Sequence, residues 1–236
     1  MAASKLSVSE SELPEGLVAL PIRTRLVARG DDLARLVAEA TAGMVQSGDV
    51  VAISETALAI AQGRFIGAEY VRPSRLAYAL ARRAGAMATL SQPESMQLVI
   101  DRVGTPAVLG AVAAHVVGRI CGKRGVLYER LGEAISEIDG YTGTMPPYEQ
   151  AIVLAPRDPG GFAQRVCDRI GVQCAVVDAN DLGKAKVLGH SVNVDAAAVE
   201  AALRDNPHGN SDEQTPLVVL KWRGSGANPL LHGGTQ

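Results

Sequence analysis

Apolar residues return along this chain in two rhythms, short unbroken runs and ladders at helical spacing, which predict interleaved strands and helices. Leu17 to Ile22 predicts a first strand. Gly30-Asp31-Asp32 then caps a helix in which Leu33, Leu36, Val37, Ala40 and Met44 share one face. Gly48-Asp49 turns into a buried strand, Val50 to Ile53, and Pro73 to Ala84 reads as a helix stopped by Gly85. Glu94 to Val103 and Ala107 to Val117 predict two more helices. Gly125 to Asp139 fits either two short strands or a helix over Leu127 to Ile135. The clearest unit follows: an amphipathic helix from Gly161 to Ile170, a stop at Gly171, and a strand from Val172 to Val177. An Ala-rich helix over Asp195 to Arg204 and a closing strand, Leu217 to Lys221, complete an α/β (α+β) pattern. Residues 1–15 are polar and predict a disordered lead-in, 16–223 a single domain, and 224–236 a flexible tail.

Composition narrows the function classes. Hydrophobic residues make up 47% of 236, charged residues 20% and aromatics 3%, so the core is built from Ala, Val, Leu and Ile. A net charge of −2 offers no electrostatic case for nucleic acid or an anionic membrane surface. The longest apolar run, Pro106 to Val117, falls short of the roughly 20 residues that span a bilayer. The N-terminal stretch lacks the apolar core of a secretory signal, and a cytoplasmic location is expected. Cys121, Cys167 and Cys174 have no metal-ligand spacing and read as buried thiols.

Chemistry-bearing motifs are few. The chain has no Gly-x-x-x-x-Gly-Lys-Ser/Thr phosphate loop and no Gly-x-Gly-x-x-Gly fingerprint. Its four histidines are scattered, which argues against a zinc hydrolase, and Ser54, Ser91 and Ser136 lack a nucleophile elbow. Two aspartates stand out: Asp139 after Ile138 and Asp178 after Val176-Val177. Each ends an apolar run and precedes Gly, Asn or Thr, where a strand hands a side chain to a loop. If they converge, two such carboxylates make a hard-oxygen site for Mg²⁺ or Mn²⁺ and a polyphosphate. Taken singly, each is more often a turn or cap residue than a ligand. Asn180 and Asp181 add oxygens beside Asp178, and Gln62-Gly63-Arg64 offers a guanidinium to phosphate or carboxylate.

In order, Gly30-Asp31-Asp32-Leu33, Gly48-Asp49-Val50-Val51, Ala61-Gln62-Gly63-Arg64, Ile138-Asp139, Leu154 to Pro159 and Val177-Asp178-Ala179-Asn180 with Gly183-Lys184 resemble the coenzyme F420-0:γ-glutamyl ligase family over roughly residues 20 to 190. The resemblance implies an α/β ligase fold unlike the P-loop proteins, acting as a homodimer. It implies an enzyme that uses GTP and two divalent metals to join L-glutamate to a carboxylate acceptor. Asp139 and Asp178 would be the metal carboxylates, with Asp181 as a further ligand. The nucleotide would lie against Thr24, Arg25, Leu26, Val27, Ser54, Glu55 and Thr142, and Arg64 or Lys184 would hold a substrate carboxylate. Two departures bear on activity. The family's Lys before the Gly-Arg stretch falls on Ile60, and its Thr after the second Asp falls on Ala179. A lost charge-assisted contact to phosphate costs roughly 1.5–3 kcal/mol unless Arg25, Arg64 or Lys184 replaces it. A ligase for another acceptor, such as a folate, and a non-catalytic binding homologue both remain open on these grounds.

Overall fold

A computed structural model of the protein describes residues 16–84, 90–123, 126–136, 138–140, 147–180, 183–209 and 213–232. Its larger sheet is built from β1 (Leu17–Ile22), β2 (Val50–Ser54), β6 (Gln173–Asn180), β7 (Lys184–His190) and β8 (Leu217–Trp222), in the order β1-β8-β2-β6-β7. β2 and β6 run parallel, whereas β8 is antiparallel to both β1 and β2 and β7 is antiparallel to β6. The continuous apolar runs have a direct cause: this sheet is covered on both faces. Val50, Ala52, Ala175, Val177, Val218 and Leu220 pack with Val199, Ala202 and Leu203 of α8 (Ala196–Ala202) and its C-terminal cap. Val51, Ile53, Cys174, Val176, Leu217 and Val219 alternate with them and are equally buried. α7 (Pro159–Ile170) packs on β6 and β7, and α1 (Leu33–Thr41) packs on α7. Pro21 is tolerated because β1 is an edge strand.

These elements belong to one compact unit, Met1–Val27, Asp32–Leu58 and Asp158–Gln236. A second unit takes Ala28–Asp31 and Ala59–Arg157. It holds a three-stranded sheet, β3 (Phe65–Gly67), β5 (Ala151–Leu154) and β4 (Ile138–Gly140), in the order β3-β5-β4. Its helices are α3 (Arg75–Ala81), α4 (Pro93–Val103), α5 (Thr105–Ile120) and α6 (Val126–Ser136). Their core joins Ala77, Met96, Val99, Val108, Leu131 and Ile152. Apart from the short excursion at Ala28–Asp31, the chain crosses between units within α2 (Glu55–Ala61) and again before Asp158.

Local chemistry fixes several boundaries. Asp32 caps α1 by accepting from Arg35 N at 2.9 Å, as the sequence predicts. The helix nevertheless ends at Thr41, short of Met44, because Gly43 takes a left-handed φ of 72°. Met44 O instead accepts from Lys221 Nζ at 2.6 Å, and the same ammonium meets the buried carboxylate of Asp49 at 2.8 Å. That pair ties the turn before β2 to β8. α3 starts one residue after Ser74, whose hydroxyl accepts from Ala77 N, so Pro73 lies outside it. The ambiguous stretch before Asp139 is a helix, α6, and the predicted stop at Gly85 lies outside the described residues.

The expectation of three buried thiols needs correction at one position, and within the sequence-predicted tail Leu230 and Leu231 join the core of the larger unit. Leu230 is fully buried there, its carbonyl accepts from Asp195 N, and Asn228 Nδ2 donates to Gly48 O at 2.6 Å. Cys121 is exposed just past the end of α5, while Cys167 and Cys174 are buried as expected.

α7 approaches β7 closely enough to exclude any side chain at Gly189, where an added Cβ would lie 2.2 Å from Gly160 N. We expect Gly189→Ala to destabilise the protein by at least about 1–3 kcal/mol in urea unfolding. Gly132→Ala, inside α6 with nothing within 4 Å of the new methyl, should be neutral or stabilising by about 0.5–1 kcal/mol.

Candidate functional site

The strand order brings separate sequence segments to one edge of the large sheet. Ile22 and Ile53 both pair with Leu217, and Ile53 also pairs with Val176, so four strands align in one row. β1, β2 and β6 point the same way, and their carboxyl ends emerge past that row. In open α/β sheets this is the edge where ligands bind. Immediately beyond it lie Ser54, which pairs with Val177, then Glu55 at the start of α2 and Asp178 on β6. Thr24 N donates to Gln214 O at 2.9 Å, and Ser54 N donates to Pro216 O at 2.8 Å. Lys184 begins β7 opposite Asn180. Seven segment-level candidates from the sequence therefore share this edge: Thr24, Arg25, Leu26, Ser54, Glu55, Asp178 and Lys184. Val27 continues the same segment with its side chain buried.

Asp178 is half-buried, and burial pushes its carboxyl above the usual carboxylate range. Lys186, its direct cross-strand neighbour, pulls in the opposite direction. Asp178 lines an open groove of about 730 Å³ together with Lys184, Lys186, Glu200 and Arg204. Glu200 is fixed there, its Oε1 accepting from Val187 N at 2.9 Å on the exposed edge of β7. The groove therefore presents three cations and two carboxylates. Lys186, Glu200 and Arg204 escaped the sequence reading. Their signal was periodicity alone: Lys184 and Lys186 alternate on a strand, and Ala197, Glu200 and Arg204 recur along α8 and its end.

A desolvated carboxyl at a strand end is a hard-oxygen donor, and a cation beside it would restore its charged form. Among the described residues, no three His, Cys, Asp or Glu side chains gather into a metal cage. Such a donor set fits Mg²⁺, which keeps several waters and needs one or two carboxylates plus substrate phosphate. Asp139 lies in β4 of the other unit, with its side chain outside the described residues, as are Thr142 and Asp181 altogether. Arg64 has a bracing role in that unit. Its Nε donates to Ala155 O, and Gln62 bonds both the N and the O of Arg157, so Gln62 to Arg64 fastens the loop after β5.

The entry to β8 is held by a side chain that no motif in the chain singles out. His208 is buried, and its Nδ1 lies 3.0 Å from Thr215 O. The partner is a carbonyl, so Nδ1 carries the proton and donates it. Thr215 Oγ1 donates in return to His208 O. His208 Nε2 has no hydrogen-bond partner among the described residues. Burial drops the imidazole pKa to about 4 from 6.5. The unfolded chain binds more protons than the folded one between those values, so stability present above 6.5 is lost as pH falls towards 4. Melting temperatures across that interval should decline in the wild type, with a visibly flatter profile in His208→Asn.

Comparison with known proteins places this geometry. The model of the F420-0:Gamma-glutamyl ligase family matches residues 21–189, from the end of β1 through nearly all of β7. A curated relative, the coenzyme F420:L-glutamate ligase of Methanopyrus kandleri, is 29% identical over 170 residues, covering 68% of this chain and 57% of that protein. The chain thus spans little more than half the length of that relative. α8, the His208 loop and β8 fall outside the family match. The sheet edge bearing Ser54, Asp178 and Lys184 lies inside it, and the chain belongs to the F420-0:gamma-glutamyl ligase family.

Proposed function

We propose that this protein is a nucleotide- and metal-dependent ligase that adds L-glutamate to a carboxylate acceptor of the coenzyme F420-0 type. The observation carrying this reading is the family-matched Asp178 beside Ser54 and Glu55 at the carboxyl-end edge of the parallel strands. The acceptor's terminal carboxylate attacks the γ-phosphorus of GTP, forming an acyl-phosphate and releasing GDP. The glutamate amine then attacks the acyl carbon, a proton leaves the nitrogen, and inorganic phosphate departs as the amide forms. Thr24, Arg25, Leu26, Val27, Ser54, Glu55 and Thr142 bind the nucleotide. By the family resemblance Asp139, Asp178 and Asp181 would hold Mg²⁺ or Mn²⁺, which would supply positive charge against the transferred phosphoryl group.

Lys184, with Lys186 and Arg204 in the same groove, holds substrate carboxylate, and Arg64 serves the acceptor in the other unit. Ile60 is buried in α2, where the family carries a Lys, so phosphate charge must be met by Arg25 or Lys184. We propose a cytoplasmic homodimer as the working assembly.

The substitutions at Ile60 and Ala179 also support a second reading, in which the protein serves another acceptor or binds nucleotide without turnover. Phosphate release measured with GTP, Mn²⁺ and glutamate, with and without candidate acceptors, separates these readings. Acceptor-dependent release is expected. Stabilisation by GTP and Mn²⁺ with no release under any acceptor would favour the binding homologue. Asp178→Asn and Asp139→Asn should each lower turnover by at least about 100-fold, the order expected for loss of one preorganised electrostatic group. Their melting temperatures should stay near wild type. Full turnover in both variants would remove the metal-site assignment.

A further inference from the structure

The loop leading into β8 carries two of the three non-glycine residues with positive φ among those described, Asn206 at 47° and Gln214 at 55°. Side-chain-bearing residues seldom adopt this conformation, and it persists where surrounding contacts enforce it. Gln214 sits where the β1–β8 and β2–β8 ladders continue past the strand ends. Its carbonyl receives Thr24 N, and Pro216 O receives Ser54 N. A ladder running through a left-handed residue needs an outside hold. The reciprocal pair between His208 and Thr215 supplies one: ring Nδ1–H to Thr215 O, and Thr215 Oγ1–H to His208 O. Both residues are buried, and Gly209 N and Asn206 N close the turn onto Asn206 O and Leu203 O, each at 2.9 Å.

Gln214 to Pro216 thus sets the separation between the segment beginning at Thr24 and the one beginning at Ser54. These are the segments assigned above to nucleotide binding. We infer that His208 is a positioning residue for the nucleotide: locked to Thr215, it fixes the spacer that holds Thr24 and Ser54 in register. It does so from outside the stretch that the family model matches. The inference rests on the proposed nucleotide-dependent reaction, but it assigns a role that the reaction itself does not require of any histidine.

The test uses the full chain with GTP, Mg²⁺, glutamate and a carboxylate acceptor of the coenzyme F420-0 type, comparing wild type, His208→Ala, His208→Asn and Thr215→Val. Asn places an amide N–H close to the position of Nδ1–H, so it rebuilds the bond to Thr215 O. His208→Ala and Thr215→Val should raise the nucleotide KM by at least about tenfold while kcat and the glutamate KM move less than about twofold. His208→Asn should return the nucleotide KM to within about threefold of wild type. Should His208→Ala fail to fold, Thr215→Val and His208→Asn carry the same comparison. An unchanged nucleotide KM in folded His208→Ala or Thr215→Val overturns the inference, as does an equal rise in both KM values. Wild-type protein that binds no nucleotide by calorimetry overturns both this inference and the proposed reaction; normal wild-type binding with indifferent variants overturns this one alone.

Discussion

Insertion of β8 between β1 and β2 is the constraint on which the larger unit depends. Without β8, β1 has no partner in the sheet and the carboxyl ends of β1 and β2 have no fixed spacing. Leu217, Val218, Val219 and Leu220 are all fully buried, each burial contributing about 1.5–3 kcal/mol relative to exposure. The polar fastenings sit at the two ends of this strand. Lys221 reaches the buried Asp49 and Met44 O at one end, and the His208–Thr215 pair holds the other. Hydrophobic burial therefore supplies the stability, and hydrogen bonds at the strand ends supply the register.

A chain carrying a net charge of −2 has to build any anion site from local groups. The groove along β7 and α8 does so with Lys184, Lys186 and Arg204, while Glu200 and Asp178 keep it from being uniformly positive. A mixed lining of this kind suits an amino acid bearing both charges better than it suits a bare polyphosphate. The Asp178–Lys186 pairing across β6 and β7 ties this groove to the sheet edge where Ser54 and Glu55 emerge. The segments proposed for nucleotide binding and the charged groove are thereby adjacent parts of one sheet.

Much of this architecture was legible in the residues. The cap at Asp32, the stop at Gly171 and the runs at Val50 and Leu217 each carry a local physical signal, and each element formed near its expected bounds. Family resemblance was legible too, through short motifs in the right order. α2 carries no legible signal because Glu55–Ala61 is seven residues, too short for period to separate helix from strand. β7 went unread because its core-facing side chains are only Ala185 and Val187, set between lysines and followed by Gly189, too short an alternation to mark a strand. The division into two units left no mark in composition. Nor did the role of Arg64 as a brace, since its partner is a backbone carbonyl 91 residues away. His208 was invisible for the same reason: its burial depends on a fold that only long-range pairing creates.

The discontinuity of the larger unit has a consequence for synthesis. A ribosome delivers β1, α1 and β2 first and then all of Ala59–Arg157, so the smaller unit can fold while its neighbour still lacks β6, β7 and β8. Until Leu217–Trp222 leaves the exit tunnel, β1 and one side of β2 expose unpaired backbone and apolar side chains. The nascent protein is therefore most exposed to chaperones and to sticking until β8 emerges, and its larger sheet closes only then.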